Sequence, residues 1–483
     1  MLEDSLRSIR NYYFNLPQWC KNAVGFSYNM LPSNVKLGKA YRDFKLLLSR
    51  SRSWSRQEIM DYQFSQLQET LREAYEHVPY YRKTFNEHGV RPDSIKSLED
   101  VKLLPTLSKK DIKNNFHDLV SRGVNPRKHL HTTTGGSTAE PIRFLQEKGL
   151  TRSKERAFIW DGWSRVGYYP GAKTVQLKGR TVGSPKKNVF WEYEPIQNFL
   201  EMDSNYLKEE NIPLYLEAIN KFNPEFMIGY PSSIYLIAKH LKENSLSFPE
   251  IRAVYLASEN VYPWQREMLR DVFHCRIFSH YGHSEMVLLG MECEHSHNLH
   301  FYPEYGLLEV LDAAGNPVEK VGENGELVGT SFHNFVMPLI RYKTQDIGVI
   351  GPSTCECGRA YPLIKDVEGR LQEFIVTADS RLISICVMGA AHFDVLDYVY
   401  ETQYYQDTPG KVVFKVVPKS GYNEGHRKLI LKSLTEKMGG NVKAEVIEVD
   451  SIHRTKSGKH LMIEQKIPLK ILEGSQDLVL KDN

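Results

Sequence analysis

Glycines and hydroxyl side chains are concentrated at residues 131–144, which read His-Thr-Thr-Thr-Gly-Gly-Ser-Thr-Ala-Glu-Pro-Ile-Arg-Phe. Gly135 and Gly136 can adopt positive φ and let backbone amides approach an anion closely. Five neighbouring hydroxyls add donors: Thr132, Thr133, Thr134, Ser137 and Thr138. The stretch is not a Walker A loop, because no lysine follows its second glycine. It suits a loop that wraps phosphate, and the alternative is a surface loop without a ligand.

Five further motifs follow this stretch along the chain. They are Tyr281-Gly-His-Ser-Glu285, Met337-Pro-Leu-Ile-Arg-Tyr-Lys-Thr-Gln-Asp346, Cys355-Glu-Cys-Gly-Arg359, Glu368-Gly-Arg370 and Arg454-Thr-Lys-Ser-Gly-Lys459. Together with the spacing Thr-Thr-Gly-Gly-Ser-Thr-x-x-Pro, their order resembles that of the adenylate-forming enzymes, which include acyl-CoA ligases, peptide-synthetase adenylation domains and luciferases. Within that superfamily it is similar to the phenylacetate-CoA ligase-like branch. The resemblance extends over residues 62–462.

This resemblance implies an ATP-dependent ligase that forms an acyl-adenylate and passes the acyl group to a second nucleophile. Such a reaction requires charge to be cancelled on the triphosphate and two anions to be placed in line. Glu285 resembles the acid that holds Mg²⁺, Tyr281 the ring that stacks on adenine, and Asp346 the carboxylate that accepts both ribose hydroxyls. The residues expected at the nucleotide are Thr133, Thr134, Gly135, Gly136, Ser137, Thr138, Ser258, Glu259, Asn260, Tyr281, Gly282, Ser284, Asp346 and Arg370.

Lys459 is the residue expected to carry adenylation. In the Ser-Gly-Lys pattern of the family, a mobile ammonium bridges the carboxylate and the α-phosphate and stabilises charge that develops in the transition state. Lys456 and a merely solvated basic loop are the alternatives. Arg370 resembles the residue at the inter-domain hinge, and the hinge itself is predicted at Gln372. Gln372 and Glu373 stand where the family pattern Gly-Arg-x-Asp-Asp has two aspartates.

Cysteines and histidines form one metal-like group in the sequence: Cys293, His295, His297, His300, Cys355 and Cys357. A Cys-x6-His pair followed by Cys-x-Cys and a glycine can close a tetrahedral site. Similar clusters with structural zinc occur in this branch. The expected ligands are Cys293, His300, Cys355 and Cys357, which leave no open position, and ordinary reduced cysteines are the alternative.

The acceptor of the acyl group is suggested by residues 376–383. Relatives that form coenzyme A thioesters have a glycine-bearing segment, Arg-Gly-x-Asn-Val, on the pantetheine path, whereas this chain has Val-Thr-Ala-Asp-Ser-Arg-Leu-Ile. The chain is similar here to the subgroup associated with capsular and other surface polysaccharide synthesis. The expected acceptor is therefore an amine or hydroxyl, and a sugar uronate is one candidate acid. The alternatives are a coenzyme A ligase and a non-catalytic nucleotide binder.

Composition limits the remaining possibilities. The chain has 483 residues and 41% hydrophobic content, which suffices for a large and a small domain. Its formal charge of +3 gives no sign of a nucleic-acid partner. An apolar run of membrane-spanning length and the apolar core of a signal peptide are both missing, so a cytoplasmic protein is expected.

The secondary structure predicted around the motifs is an α/β fold. Short β-rich segments at 173–177, 226–230, 253–258 and 276–281 alternate with amphipathic helical stretches, which predicts a largely parallel sheet. Because ligands gather at the carboxyl ends of such strands, the loops that follow them should line the site. These loops contain the proposed substrate contacts Tyr230 and Pro231. Residues 306–350 show an antiparallel pattern, and helical spacing from Asp61 predicts a helix ending near Pro79, after which Tyr80 and Tyr81 should start a loop.

Three segments are predicted along the chain. Residues 1–60 form a basic, aromatic helical arm, 61–369 the large ATP- and acid-binding domain, and 370–483 a small mobile α+β domain with the catalytic lysine. The arm carries ten basic residues against four acids. Two interpretations stay open for it: docking at the inner face of an anionic membrane, or packing on the main domain with its charges in water.

Overall fold

A computed structural model describes ten ranges of the chain: 12–13, 16–31, 33–133, 142–178, 182–370, 374–379, 382–385, 398–438, 442–454 and 460–467. The helices are α1 (Gln18–Met30), α2 (Ser33–Ser51, kinked at Gly38), α3 (Arg56–His77), α4 (Pro79–Glu87), α5 (Lys109–Asn114), α6 (Thr151–Ser164), α7 (Ile212–Phe222), α8 (Pro231–Glu243), α9 (Pro263–Phe273) and α10 (Glu424–Met438).

The strands begin with a hairpin that flanks the glycine-rich stretch, β1 (Leu130–Thr133) and β2 (Arg143–Gln146). Those of the main sheet are β3 (Thr174–Lys178), β4 (Trp191–Glu194), β5 (Phe199–Asp203), β6 (Phe226–Gly229), β7 (Ala253–Leu256), β8 (Arg276–Gly282), β9 (Leu289–Met291), β10 (Leu299–Phe301), β11 (Gly306–Leu311), β12 (Asn324–Ser331), β13 (Tyr342–Ile350) and β14 (Leu363–Arg370). The C-terminal strands are β15 (Phe374–Val376), β16 (Leu382–Ser384), β17 (Val399–Thr408), β18 (Lys411–Pro418), β19 (Lys443–Glu448) and β20 (Ile463–Gln465).

The main sheet has twelve strands in the order β11-β12-β13-β14-β10-β9-β8-β7-β6-β3-β5-β4. Strands β5, β3, β6, β7 and β8 pair in parallel, which confirms the predicted parallel sheet. The predicted antiparallel segment also forms, as β11, β12 and β13. Strand β14 joins this antiparallel segment to β10, so the parallel and antiparallel halves form one continuous sheet.

Local sequence determines where helices α3 and α4 begin and end. A capping box between Ser55 and Glu58 begins α3, and the helix ends at His77 as predicted, because Val78 precedes a proline. The prediction of a loop after Pro79 was wrong. Pro79 is instead the first residue of α4, where its missing N–H costs nothing.

A small C-terminal domain contains a four-stranded sheet, β19-β18-β17-β20, with α10 packed against it. Polar contacts with the large domain are present among the residues that the structure describes. The Lys239 ammonium of α8 donates to the Val399 carbonyl, Lys419 pairs with Glu243 at 2.6 Å, and the His460 amide donates to Glu259 at 3.0 Å. Gly369 and Arg370, the predicted boundary, are the last two residues of β14.

Candidate active site

A cavity of about 450 Å³ lies at the carboxyl ends of the parallel strands. Seven of the residues predicted from the sequence line it: Ser258, Glu259, Asn260, Tyr281, Gly282, Ser284 and Asp346. They belong to distant parts of the chain and meet because β7 and β8 end at the same sheet edge and β13 reaches that edge from the antiparallel half. The predicted substrate contacts Tyr230 and Pro231 do not line this cavity, although the next residue, Ser232, does.

Tyr281 and Asp346 both line this cavity and contact each other. The Tyr281 hydroxyl donates to Asp346 Oδ2 at 2.7 Å. Burial, followed by the neighbouring Asp346 charge, holds the pKa of Tyr281 well above its usual value, so the phenol remains a donor at neutral pH. Asp346 lies directly opposite Arg370 in the antiparallel pairing of β13 with β14. The predicted ribose acid is therefore next to the backbone of the predicted hinge arginine.

Glu285, the last residue of the motif Tyr281-Gly-His-Ser-Glu285, lies just after β8 and is held ionised. Glu285 is only 8% exposed, and its Oε1 accepts a hydrogen bond from the Tyr342 hydroxyl at 2.5 Å. His283 Nδ1 lies 3.3 Å from Oε2, and because His283 Nε2 accepts from the Leu288 amide, Nδ1 carries the proton. Burial raises the pKa of Glu285, but the His283 and Tyr342 contacts outweigh it and bring the pKa down to about 2. The carboxylate is thus a fixed anion at neutral pH.

The hairpin β1–β2 connects the glycine-rich stretch to this motif. Gln146 Nε2 donates to the Ser284 carbonyl at 2.9 Å, and Gln146 Oε1 accepts from the Thr132 hydroxyl at 3.1 Å. Thr133 ends β1 beside them. Residues 134–141, which include Thr134, Gly135, Gly136, Ser137 and Thr138, lie outside the described residues. The described flanks of the predicted phosphate loop are therefore bound to the backbone one residue before Glu285.

Glu259 joins the two domains at the cavity. Its carboxylate accepts from the Ser232 amide at 3.0 Å, from the Ser232 hydroxyl at 3.1 Å and from the His460 amide at 3.0 Å. Burial raises its pKa, and these hydrogen bonds oppose the rise. The preceding residue, Ser258, has φ of +72°, a strained conformation of the kind found at functional sites. Lys459 and Gln372 lie outside the described residues, but the neighbour of Lys459 in sequence is held in the cavity wall.

Several site residues were not predicted from the sequence. Glu155, on α6, lines the cavity, accepts a hydrogen bond from the Tyr305 hydroxyl and has its pKa raised by burial. It belongs to no motif, and a lone glutamate on a helix gives no signal. His283 belongs to the motif Tyr281-Gly-His-Ser-Glu285, but its contact with the Glu285 carboxylate depends on how the chain turns after β8.

Arg341 is structural. Its guanidinium binds the Glu309 carboxylate at 2.7–3.1 Å, and it also donates to the Leu104 carbonyl. It therefore fixes the turn before β13 rather than facing the cavity.

Cys293, His300, Cys355 and Cys357 form a cluster at the far end of β9, β10 and β14, and their potential ligand atoms all lie within 4.8 Å of one another. Cys293 Sγ also accepts the His295 and Ser296 amides at 3.3 and 3.2 Å. His300 Nδ1 donates to the Asn298 carbonyl at 3.0 Å, which leaves Nε2 facing Cys357 at 3.1 Å. Burial is the main cause that lowers the pKa of His300 to about 4, so the ring is a neutral donor of its lone pair.

The group of four matches the set favoured from the sequence and could bind a metal. The two other histidines of the constellation have different neighbours. His297 Nδ1 lies 3.0 Å from Glu292, and His295 is 4.0 Å from Glu356.

The chain is similar in sequence to known proteins. A family model described as "CapK C-terminal domain" matches residues 375–466. The chain is 25% identical to "Protein CapK" of Staphylococcus aureus over 393 residues, which cover 79% of this chain and 83% of that protein. It is 26% identical to "Phenylacetate-coenzyme A ligase" of Escherichia coli (strain K12) over 345 residues, which cover 66% of this chain and 72% of the ligase.

Solved structures show the same fold. 2-Hydroxyisobutyryl-CoA ligase in the postadenylation state, in complex with 2-HIB-AMP, superposes with a TM-score of 0.69 at 19% identity, covering 86% of this chain and 91% of that one. The same ligase in the thioesterification state, with 2-HIB-AMP and CoA, gives a TM-score of 0.54 at 18% identity, over 87% and 92% of the two chains. The fold class predicted from the sequence is confirmed, as is its resemblance to the phenylacetate-CoA ligase-like branch.

Proposed function

We propose that this chain, an adenylate-forming ligase of the phenylacetate-CoA ligase-like branch, activates a carboxylic acid with ATP as an acyl-adenylate, releases pyrophosphate and transfers the acyl group to a second nucleophile. The observation that carries the proposal is the convergence of Tyr281, Asp346 and Glu259 on one cavity, with Glu285 held ionised beside it. A binder of nucleotide alone would not need a buried anion at that position.

Each residue has a role that suits its chemistry. Asp346, oriented by the Tyr281 hydroxyl, would accept the ribose hydroxyls, while the Tyr281 ring would stack on adenine. Glu285 would hold Mg²⁺, since its carboxylate is ionised and borders the flank of the phosphate loop through Ser284. The bound ion would offset the charge of the triphosphate.

Lys459 would stabilise the transition state of adenylation. The hydrogen bond from the His460 amide to Glu259 supports this assignment, because it fixes the residue next to Lys459 in the cavity wall. A lysine that contacts the α-phosphate from a separately folded domain can enter after both substrates have bound. Its contribution would then fall on the rate rather than on ATP affinity.

For the acceptor we favour an amine or hydroxyl in surface polysaccharide biosynthesis, with a sugar uronate as a candidate acid. The absence of the glycine-bearing segment after the proposed hinge supports this choice, and the similarity to the protein named CapK agrees with the resemblance to the capsular subgroup. In its place, Val376 is tied at both its amide and its carbonyl to the Gln406 side chain, at 2.7 and 2.8 Å. The phenylacetate-CoA ligase relatives favour the alternative, a coenzyme A thioester.

The cluster of Cys293, His300, Cys355 and Cys357 would hold a structural zinc ion. Three thiolates and a neutral imidazole are a typical closed zinc set, and the His300 ring is already oriented by the Asn298 carbonyl. Four protein ligands leave no position for substrate, so the ion would stabilise the fold and take no part in the reaction.

One experiment tests the function and separates the acceptors. Purified protein is incubated with ATP, Mg²⁺ and a panel of carboxylates that includes uronic acids, with coenzyme A, with amines or with neither, and nucleotides and acyl products are followed by mass spectrometry. A Glu285→Gln variant serves as the control, since it keeps the shape of the side chain but removes the charge. AMP with pyrophosphate supports adenylation, whereas ADP would refute it, and ATP binding without turnover on any acid would indicate the non-catalytic alternative.

A further inference from the structure

Helix α1 is attached to the large domain by its polar side. The Gln18 amide donates to the Tyr193 carbonyl at 3.0 Å, the Asn29 amide donates to the Pro195 carbonyl at 3.1 Å, and the Lys21 ammonium pairs with Glu192 while only 4% exposed. Gly25 faces the same way, and a Cβ atom there would lie 2.6 Å from Pro195. The face of the helix that touches protein is therefore made of an amide pair, a buried ion pair and a glycine.

The apolar side of α1 faces away from the protein. Trp19, Phe26 and Met30 are 73%, 71% and 72% exposed, and their spacing of seven and four residues puts them on one helical face. Tyr12, just before the helix, is 75% exposed. A helix that only packed on its domain would bury these side chains and expose Lys21. The reversed arrangement leaves an apolar strip without a protein partner among the described residues.

The distribution of charge indicates what kind of surface this strip contacts. Helix α2, which follows directly, exposes Lys39, Arg42, Lys45 and Arg50. Residues 1–60 carry ten basic against four acidic residues, while the remaining 423 carry 52 against 55. Positive charge is thus concentrated in the segment that exposes tryptophan, phenylalanine and methionine. An apolar protein groove would account for the strip alone, whereas an anionic bilayer surface accounts for both features.

We propose that helices α1 and α2 form a surface that docks on anionic membranes, with Trp19, Phe26 and Met30 entering the headgroup region and the exposed bases of α2 facing lipid phosphates. The attachment is peripheral, and among the described residues no helix is long and apolar enough to cross a bilayer. The proposal is independent of the reaction that the cavity performs.

Co-sedimentation of the full chain with vesicles tests this surface. Vesicles of phosphatidylcholine alone are compared with vesicles of phosphatidylcholine and phosphatidylglycerol in equal parts. Binding to the anionic vesicles should be at least about tenfold tighter and should weaken as salt is raised, because the attraction of exposed charges is screened. Comparable binding to both compositions, or none to either, would overturn the proposal.

Variants locate the surface. Trp19→Ser, Phe26→Ser and Met30→Ser combined should weaken binding to anionic vesicles by about tenfold or more, as should the combined change of Lys39, Arg42, Lys45 and Arg50 to glutamine. A matched control removes three apolar side chains that are 51%, 49% and 59% exposed elsewhere, by Leu103→Ser, Leu246→Ser and Val321→Ser. The control should bind like the unaltered chain, and melting temperatures verify that all variants fold.

Sedimentation equilibrium without lipid tests the alternative that a second copy of the chain covers the strip. A dimer that the Trp19, Phe26 and Met30 changes dissociate, together with no vesicle binding, would assign the strip to self-association and refute membrane docking.

Discussion

Replacing Tyr281 with phenylalanine separates two roles that the proposal gives to one side chain. The change keeps an aromatic ring for adenine and removes the hydroxyl that donates to Asp346 at 2.7 Å. Because burial keeps the phenol protonated at neutral pH, the unaltered protein always has this donor. The variant should therefore bind adenine as before but hold Asp346 less firmly.

The magnitude follows from the kind of hydrogen bond that is lost. Hydrogen bonds to charged groups contribute about 1.5–3 kcal/mol. Asp346 is 7% exposed but lines the cavity, so water can replace part of the lost contact, and the lower end of the range applies. About 1.4 kcal/mol corresponds to a tenfold weaker Kd for ATP.

Calorimetric titration with ATP and with 2′,3′-dideoxy-ATP is the appropriate assay. Asp346 can gain from its orientation only if the ribose hydroxyls are present, so Tyr281→Phe should cost about tenfold with ATP and less than about twofold with the dideoxy nucleotide. Tyr342→Phe is the matched control, since it removes a comparable hydroxyl from Glu285 at 2.5 Å. Its cost should be equal for the two nucleotides, because the role proposed for Glu285, holding Mg²⁺, does not involve the ribose.

Two results would refute this reasoning. An equal loss with both nucleotides for Tyr281→Phe would mean that Asp346 does not contact the ribose. Unchanged affinity for both would mean that the hydrogen bond is not retained when nucleotide binds. Melting curves of the free variant show whether a loss arises from unfolding instead.

Three further predictions concern the rest of the site. Lys459→Ala should slow adenylate formation by several orders of magnitude in single-turnover assays while ATP affinity hardly changes, and an equal loss of binding would assign Lys459 to the ground state. The protein should contain about one zinc per chain by elemental analysis, and Cys355→Ser should lower both zinc content and melting temperature while Cys20→Ser leaves them unchanged; protein purified without chelator and free of zinc would contradict this. Gln372→Pro should slow acyl transfer more than adenylation by fixing φ near −65°, and equal slowing of both steps would place the hinge elsewhere.

The sequence was sufficient for those parts of the site whose spacing is local. Residues 281–285 form one short, continuous motif. The parallel strands before them could be predicted from the alternation and length of the apolar segments, and the position of Tyr281 near the end of a strand followed from that topology. The four-residue cysteine and histidine cluster was identified because few residue types bind metals and their spacing is restrictive.

Other features depend on contacts between distant residues. The hydrogen bond from Gln146 to Ser284 joins residues 138 positions apart, and that from His460 to Glu259 joins residues 201 positions apart. Tertiary packing also decided the orientation of α1. The composition of residues 1–60 predicted a basic, aromatic helical arm, but not that Lys21 would be buried and Trp19 exposed.

The position of the cysteine and histidine cluster bears on the proposed hinge. It joins the β9–β10 turn to the loop that precedes β14, and β14 then runs between β10 and β13 to end at Arg370 opposite Asp346. The cluster therefore adjoins the start of β14, β10 pairs with Leu363 and Ile364, and β13 pairs with the strand from Ile364 to Arg370, so we expect a rotation beyond Arg370 to leave Asp346 in place. A chimera with another small domain should accordingly be joined after Arg370. Residues 293–300 and 355–370 should come from one parent, so that the cluster and the strand beside it remain matched.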